Sequence, residues 1–537
     1  MSCNSFPITS DTETNPAILL FGKRLFHDQS PTEFLVELLL VVNASKRIGR
    51  DGSPFTAALP GYETILGWPA GELLHYAPRA RLNLKLFAFM GASRLDSRHE
   101  THRTHYKELL ERLLANVRVT EAGSENDVLR TLENLLLGFQ GAGSGRTWCA
   151  QTFMPICPGL LAGETIWSES VARRKSPENW SDLMQDHSSY FATNKRLFLA
   201  RGGELLFLQI CNALRQPHET VAKWVKESGV HLELTEQDPA WLHAELQREL
   251  RRLLDQCPQT LTEIADFLDS GVEPATARAT DTADGSPRYV EAGWCAAESW
   301  KEGYLFAVDL LRLCGADLDV VERLLLLESA CTMQVLRSLA VQSARHCHSE
   351  HSVSWPGYRL AVSAPTEENQ AVKRISRRTA KAAERLVFHA LRSGDVPLPH
   401  DALKREKVLK EADRRYGGKL FTGMAKRIGL LVPRRGAGVR FTLNEQLLRL
   451  LVVTTVPVGG RLTYDRFKAL VEARHGLVFD SDGFARASMW ADGAGQVLVN
   501  NIDVWLQEML AAAGLLIHLS DSCALVVNPA GKKGVER

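Results

Sequence analysis

Between residues 371 and 440, nineteen Lys and Arg stand against six Asp and Glu, in a chain whose formal charge is only +1. The rest of the sequence therefore sums to −12. A charge split of this kind restricts the fold. The cationic stretch must keep its side chains in water or on a polyanion, and the acidic remainder needs a separate surface. Apolar spacing divides the stretch into short pieces. Residues 374–391 read as an amphipathic basic helix that Ser393 and Gly394 can stop. Two further helices are expected at 403–416 and 419–428, the last closed by Gly429. Strand-forming Leu430, Leu431 and Val432 then lead into a turn from Pro433 to Gly438, and residues 439–443 make a second strand.

Three helices followed by a basic hairpin resemble the winged helix-turn-helix family. The same order returns in weaker form. Thr463 caps a helix reaching about residue 473, and Asn500 or Asn501 caps another over 504–513, ended by Gly514. Residues 515–519 and 523–527 then flank a Ser-Asp-Ser turn. Acids outnumber bases in this second copy. The tail thus resembles tandem winged helices at 371–444 and 445–530, with 531–537 trailing. In that family the third helix enters the major groove and the wing touches backbone. The resemblance implies Lys419, Thr422, Lys426 and Arg427 on the third helix, and Arg434, Arg435 and Arg440 in the wing. Phosphate neutralisation explains the surplus of bases, and a Gly-rich tip lets backbone approach phosphate closely. No Asn or Gln lies on the third helix to pair an adenine edge, although Arg427 could read guanine. The competing reading is a solvated basic face that docks an acidic protein.

The chain has 537 residues, too many for one core, and three or four domains are expected. Residues 1–270 read as a helical module. Ser30, Pro31 and Glu33 form a helix start, because Ser30 can cap, Pro31 lacks only an N–H that would be orphaned, and Glu33 can reach back. Helical spacing recurs at 106–117, 128–137, 205–214 and 241–254. Residues 271–290, rich in Gly, Pro, Thr and Asp, read as a linker. A helical hairpin at 291–345 follows, its second helix apolar nearly all round and so central to a core. Residues 346–370, with Pro356 and Pro365, read as a second linker. The fold class expected is mainly α, with small β-hairpins in the tail.

Ten cysteines include no CxxC, and the closest two are Cys149 and Cys157. That disfavours a zinc ribbon or a secreted disulfide framework. Residues 1–16 carry no signal-peptide pattern, and the longest apolar runs fall short of a membrane span. A cytoplasmic protein without membrane contact is expected.

Three other clusters invite chemistry. Residues 140–147, from Gln140 to Thr147, look like a phosphate-binding P-loop. However, Gln140 and Arg146 replace the glycine and lysine that the loop needs, and the segment before it is helix-like rather than a strand. A flexible loop is the favoured reading. His346, Cys347, His348, Glu350 and His351 supply enough ligands for zinc, with His346, His348 and His351 as the metal candidates. A polar helix C-terminus, where imidazolium favours the dipole, explains them without metal. His99, His102 and His105 have the spacing of a solvated helix start. No cofactor is expected.

Taken together, these readings point to a non-enzymatic DNA-binding accessory or scaffold subunit. It would contact nucleic-acid backbone, most simply duplex DNA, through the basic unit. The acidic copy and the helical front would hold partner subunits such as a helicase or nuclease. A helical front with a winged-helix tail resembles accessory subunits of bacterial multi-gene anti-phage defence systems. The alternatives are a transcription regulator with a helical sensor, or a metal- or nucleotide-dependent enzyme.

Overall fold

The computed structural model describes residues 5–8, 15–22, 29–78, 84, 87, 100–119, 124–137, 161, 166–167, 191–192, 202–256, 259–270, 289–347, 354–393, 398–415, 418–493, 501–520 and 523–531. The fold is mainly α. Its front half runs β1 (Ser5–Phe6), α1 (Pro16–Phe21), α2 (Pro31–Asn43), β2 (Ser45–Ile48), α3 (Tyr62–Leu66), β3 (Leu74–Ala77), α4 (Glu100–Asn116) and α5 (Glu125–Leu137). Two short paired strands follow, β4 (Ile166–Trp167) and β5 (Phe191–Ala192). Then come α6 (Gly202–Leu214), α7 (His218–Ser228), α8 (Pro239–Asp255) and α9 (Gln259–Ser270).

The start of α2 forms the expected capping box. The Ser30 hydroxyl accepts from the Glu33 amide, and the Glu33 carboxylate accepts from the Ser30 amide. Helix α2 is buried almost all round and packs on α6. Their contact needs glycine. A Cβ on Gly203 would lie 2.2 Å from the Leu38 amide nitrogen, and one on Gly202 would lie 2.1 Å from the Phe34 ring. Buried Glu37 accepts from the Gly203 amide at the N-terminus of α6. At the other end of α2, the Lys46 ammonium donates to the carbonyls of Val41, Val42 and Ala44.

Next come β6 (Val290–Glu291), β7 (Cys295–Ala296), α10 (Trp300–Gly315) and α11 (Val320–His346). Strand β6 completes a sheet ordered β2-β3-β6, so the end of the 271–290 segment is paired backbone. Asp319 caps α11 by accepting from the amides of Val321 and Glu322. Among the described helices, α11 is long and apolar enough to cross a membrane, but 89% of that stretch is buried inside the protein. Its neighbours are α2, α10 and the tail helices.

The tail contains β8 (Leu360–Ala361), α12 (Gln370–Ala390), α13 (Ala402–Arg415), α14 (Gly418–Arg427), β9 (Leu431–Val432), β10 (Arg440–Phe441) and α15 (Glu445–Thr455). Beyond them lie β11 (Arg461–Thr463), α16 (Tyr464–His475), β12 (Leu477–Val478), α17 (Ser481–Asp492), α18 (Val504–Ala512), β13 (Leu516–Ser520) and β14 (Cys523–Val527). Strands β9 and β10 form an antiparallel pair, and the last sheet has the order β11-β14-β13. Asp503, not Asn500 or Asn501, occupies the cap position of α18.

Residues 354–364, expected to be part of a linker, are instead packed. Tyr358, Leu360, Ala361 and Val362 are buried. Strand β8 pairs parallel with β12, and Val362 bridges to Phe441, so this segment ties both hairpin-bearing parts together. Trp355 donates to the Ala473 carbonyl and packs edge-on against Trp224. One contiguous apolar cluster runs from Phe6 to Ala530.

Charge crosses this core in a buried triad. Asp309 on α10 accepts from Arg337 of α11 at 2.7 Å and from Arg474 of α16 at 2.6 Å. Burial alone would raise the Asp309 carboxyl, but Arg474 and Arg337 offset it and hold it at about 2, below its ordinary 3.8. Adjacent His475 is buried too, and burial with Arg337 nearby pushes its imidazole down to about 3. Gln334 and Gln209 extend the network from Arg337 to α6.

Removing Asp309 would strand two buried guanidinium groups. Asp309→Ala should therefore lower the unfolding free energy by about 3–5 kcal/mol in urea titration. From the ordinary histidine value of 6.5 down to about 3, the unfolded chain takes a proton that folded His475 refuses. At lower pH, Asp309 adds a loss of the same sign. Stability should therefore fall with falling pH across that window, and His475→Gln should flatten its upper part. An unaltered pH profile in that variant would contradict the assignment.

Candidate nucleic-acid interface

Asn369 caps α12 by accepting from the Ala371 amide. The helix then buries Val372, Ile375, Thr379, Ala383 and Val387. The opposite stripe, with Arg374, Arg377, Arg378, Lys381, Arg385 and Phe388, faces solvent. Helix α14 divides in the same way. Leu420, Phe421, Met424 and Ala425 go inward, while Lys419, Thr422 and Lys426 follow one another along the outer face. The two outer faces meet across a groove of about 890 Å3.

Five cations line this groove: Arg378, Lys381, Arg385, Lys419 and Lys426. Three carboxylates join them, and each is already engaged. Glu384 accepts from the Thr422 hydroxyl at 2.6 Å. Asp492, on the last turn of α17, lies 3.2 Å from Arg378 and 3.9 Å from Arg385. Asp413 on α13 accepts from both terminal nitrogens of Arg392, at 3.0 and 2.5 Å. Among the described residues, no carboxylate lies within ion-pairing distance of Lys381, Lys419 or Lys426. Three ammonium groups thus converge on one concave surface, where their fields add.

The hairpin tip lies in solvent from Pro433 to Gly438, with Arg434 and Arg435 exposed. Gly436 and Gly438 take φ of 98° and 80°, the left-handed region that favours glycine. Arg377 donates to the Gly438 carbonyl at 3.3 Å and ties the hairpin to α12. Arg427 is exposed on the last turn of α14.

Arg440 corrects the sequence reading. Its side chain turns inward, 9% exposed, rather than toward a ligand. The guanidinium donates to the Ser363 hydroxyl and to the carbonyls of Ala364 and Pro365. It fastens the hairpin to the strap before α12. Conversely, Arg378, Lys381, Arg385 and Phe388 were not assigned to the site. Their signal was the spacing of three and four along α12, opposite its apolar stripe.

The other candidates separate from this surface. Residues 140–147 and His99 lie outside the described residues, and His102 and His105 fall in α4. His346 ends α11 with its Nε2 3.3 Å from Gln342 Nε2, and the Cys347 thiol donates to the Leu386 carbonyl. His348 and His351 lie outside the described residues. No protein-family model, curated protein or solved structure matches the chain.

Because Arg440 spends its charge on three internal acceptors, Arg440→Ala should lower stability by roughly 2–3 kcal/mol, the scale of hydrogen bonds to a charged group. Polyanion affinity of the folded variant should stay within about twofold of the parent, since a phosphate contact is not lost. A large affinity loss without destabilisation would return Arg440 to the interface.

Proposed function

We propose that this chain is a nucleic-acid-binding accessory or scaffold subunit without chemistry of its own. The observation that carries this reading is the set of lysines, Lys381, Lys419 and Lys426, that have no carboxylate partner among the described residues and face one groove beside the exposed Arg434 and Arg435. Ammonium groups without carboxylate partners are suited to displace counterions from phosphates, which drives association without base readout. Duplex DNA is the proposed partner.

The order α12, α13, α14, β9, β10 supports reading residues 371–444 as a winged helix, with α14 as the third helix and the 433–438 tip as the wing. The three-stranded sheet beside α16 and α18 supports the same reading of 445–530. This second unit neutralises part of its acid internally. The Lys468 ammonium lies 2.8 Å from Asp503 and 3.2 Å from both Asp465 and Asp480. Its role in this proposal, shared with the front helices, is to hold protein partners in the cytoplasm, such as a helicase or nuclease. This division of labour would suit an accessory subunit of a multi-gene anti-phage system.

The combined variant Lys426→Glu, Arg434→Glu, Arg435→Glu tests the reading. Duplex affinity should fall on the order of a hundredfold at moderate salt, and the slope of log K against log salt should shrink by about 2–3. Unchanged affinity in a gel-shift titration would reject the interface.

A further inference from the structure

One side chain in the groove does not serve phosphate. Phe388 lies on the cationic stripe of α12, 44% exposed, and takes no part in the apolar core. A bare aromatic ring among Arg and Lys gains nothing from water. Its surroundings are nevertheless built. The Arg392 guanidinium carbon stands 3.5 Å from the centre of the Phe388 ring. That guanidinium is fixed twice over, by both oxygens of Asp413 and by the Phe388 carbonyl. His389 meets the ring edge-on at 5.7 Å. The ring is therefore buttressed and held at the lining of the groove that Lys381, Lys419 and Lys426 share, lysines with no carboxylate partner among the described residues.

Size narrows the ligand. A volume of about 890 Å3 is that of a site for a small molecule. A double helix, whose major groove alone is about 12 Å wide, does not enter it. An unpaired nucleotide does. It offers a flat base for the ring and a phosphate for the lysines, the combination used to hold single strands without sequence preference.

We infer that the groove between α12 and α14 takes an unpaired nucleotide, its base stacked on Phe388 and its phosphate held by Lys381, Lys419 and Lys426. The inference rests on the nucleic-acid reading above and makes it more specific. The duplex lies against the exposed hairpin tip, and a single-stranded extension runs into the groove. The preferred substrate is then a junction between double and single strand.

The test uses the full chain and two probes, a short blunt duplex and the same duplex with a thymidine overhang carrying one 2-aminopurine. The parent protein should bind the overhang probe on the order of tenfold more tightly than the blunt one, and should quench the aminopurine by stacking. Phe388→Ala should lose both the preference and the quenching while keeping its affinity for the blunt duplex. Phe388→Trp should retain both, which a merely structural role for the ring does not predict. Equal affinity of the parent for the two probes overturns the inference and leaves the duplex reading standing, as does a Phe388→Ala protein that keeps the preference. Failure of the parent to bind either probe overturns both.

Discussion

Asp309 sits between two fully buried arginines contributed by different parts of the chain, and the remaining architecture is arranged around that contact. Its carboxylate lies on α10, Arg337 on α11, and Arg474 far along the sequence on α16. A buried ion pair adds little net stability over an apolar replacement, because desolvation consumes most of the attraction. Its value here is positional. Only one placement of α16 against the α10–α11 hairpin gives both guanidinium groups a partner, and any slip leaves a charge without one. The same logic keeps His475 neutral. Two positive groups already face a single carboxylate, and a third would have no compensation.

Other buried charges repeat the device at the edges. Arg312 donates to both oxygens of Glu236 and to the Thr454 and Thr455 carbonyls. Arg345 meets Glu302, and Arg359 meets Glu472. The Arg312 contacts join the tail to the front half, Arg345–Glu302 fastens α11 to α10, and Arg359–Glu472 fastens the strap to α16, so α12 and α14 present their outer faces from a firm base. The result is a division between the two cationic residue types. Many arginines are spent inside, where a planar fork can satisfy several acceptors. The lysines of the groove, and the two arginines of the hairpin tip, remain turned outward.

Local signals were legible in the amino-acid order. Ser30, Pro31 and Glu33 announced α2, the apolar rhythm located α8, α10, α11 and α12, and the Gly-rich turn after Val432 marked the first hairpin. Other helix starts carry local signals of the same kind. Asp480 accepts from the Gly483 amide and Gly493 ends the helix, yet α17 was passed over. Asn444 caps α15 through the Leu447 amide in the same way. Pro356 and Pro365 suggested a loop where a buried strap runs, because a short strand paired to distant residues has no periodicity of its own. What the sequence could not display was pairing at a distance. Arg474 finds Asp309 across 165 positions, and Arg440 finds Ser363 across 77. The groove is of the same kind, since its two walls belong to separate helices and only tertiary packing brings Lys381 opposite Lys419.

The claim on which function turns is that the groove lysines face a polyanion. Acetylation footprinting of the intact protein, with and without a DNA duplex that carries a single-stranded extension, addresses it without any substitution. Lys381, Lys419 and Lys426 should become protected when DNA is added, while Lys301, remote on α10, should react as before. Equal acetylation of the three groove lysines in the presence of saturating DNA would contradict the account.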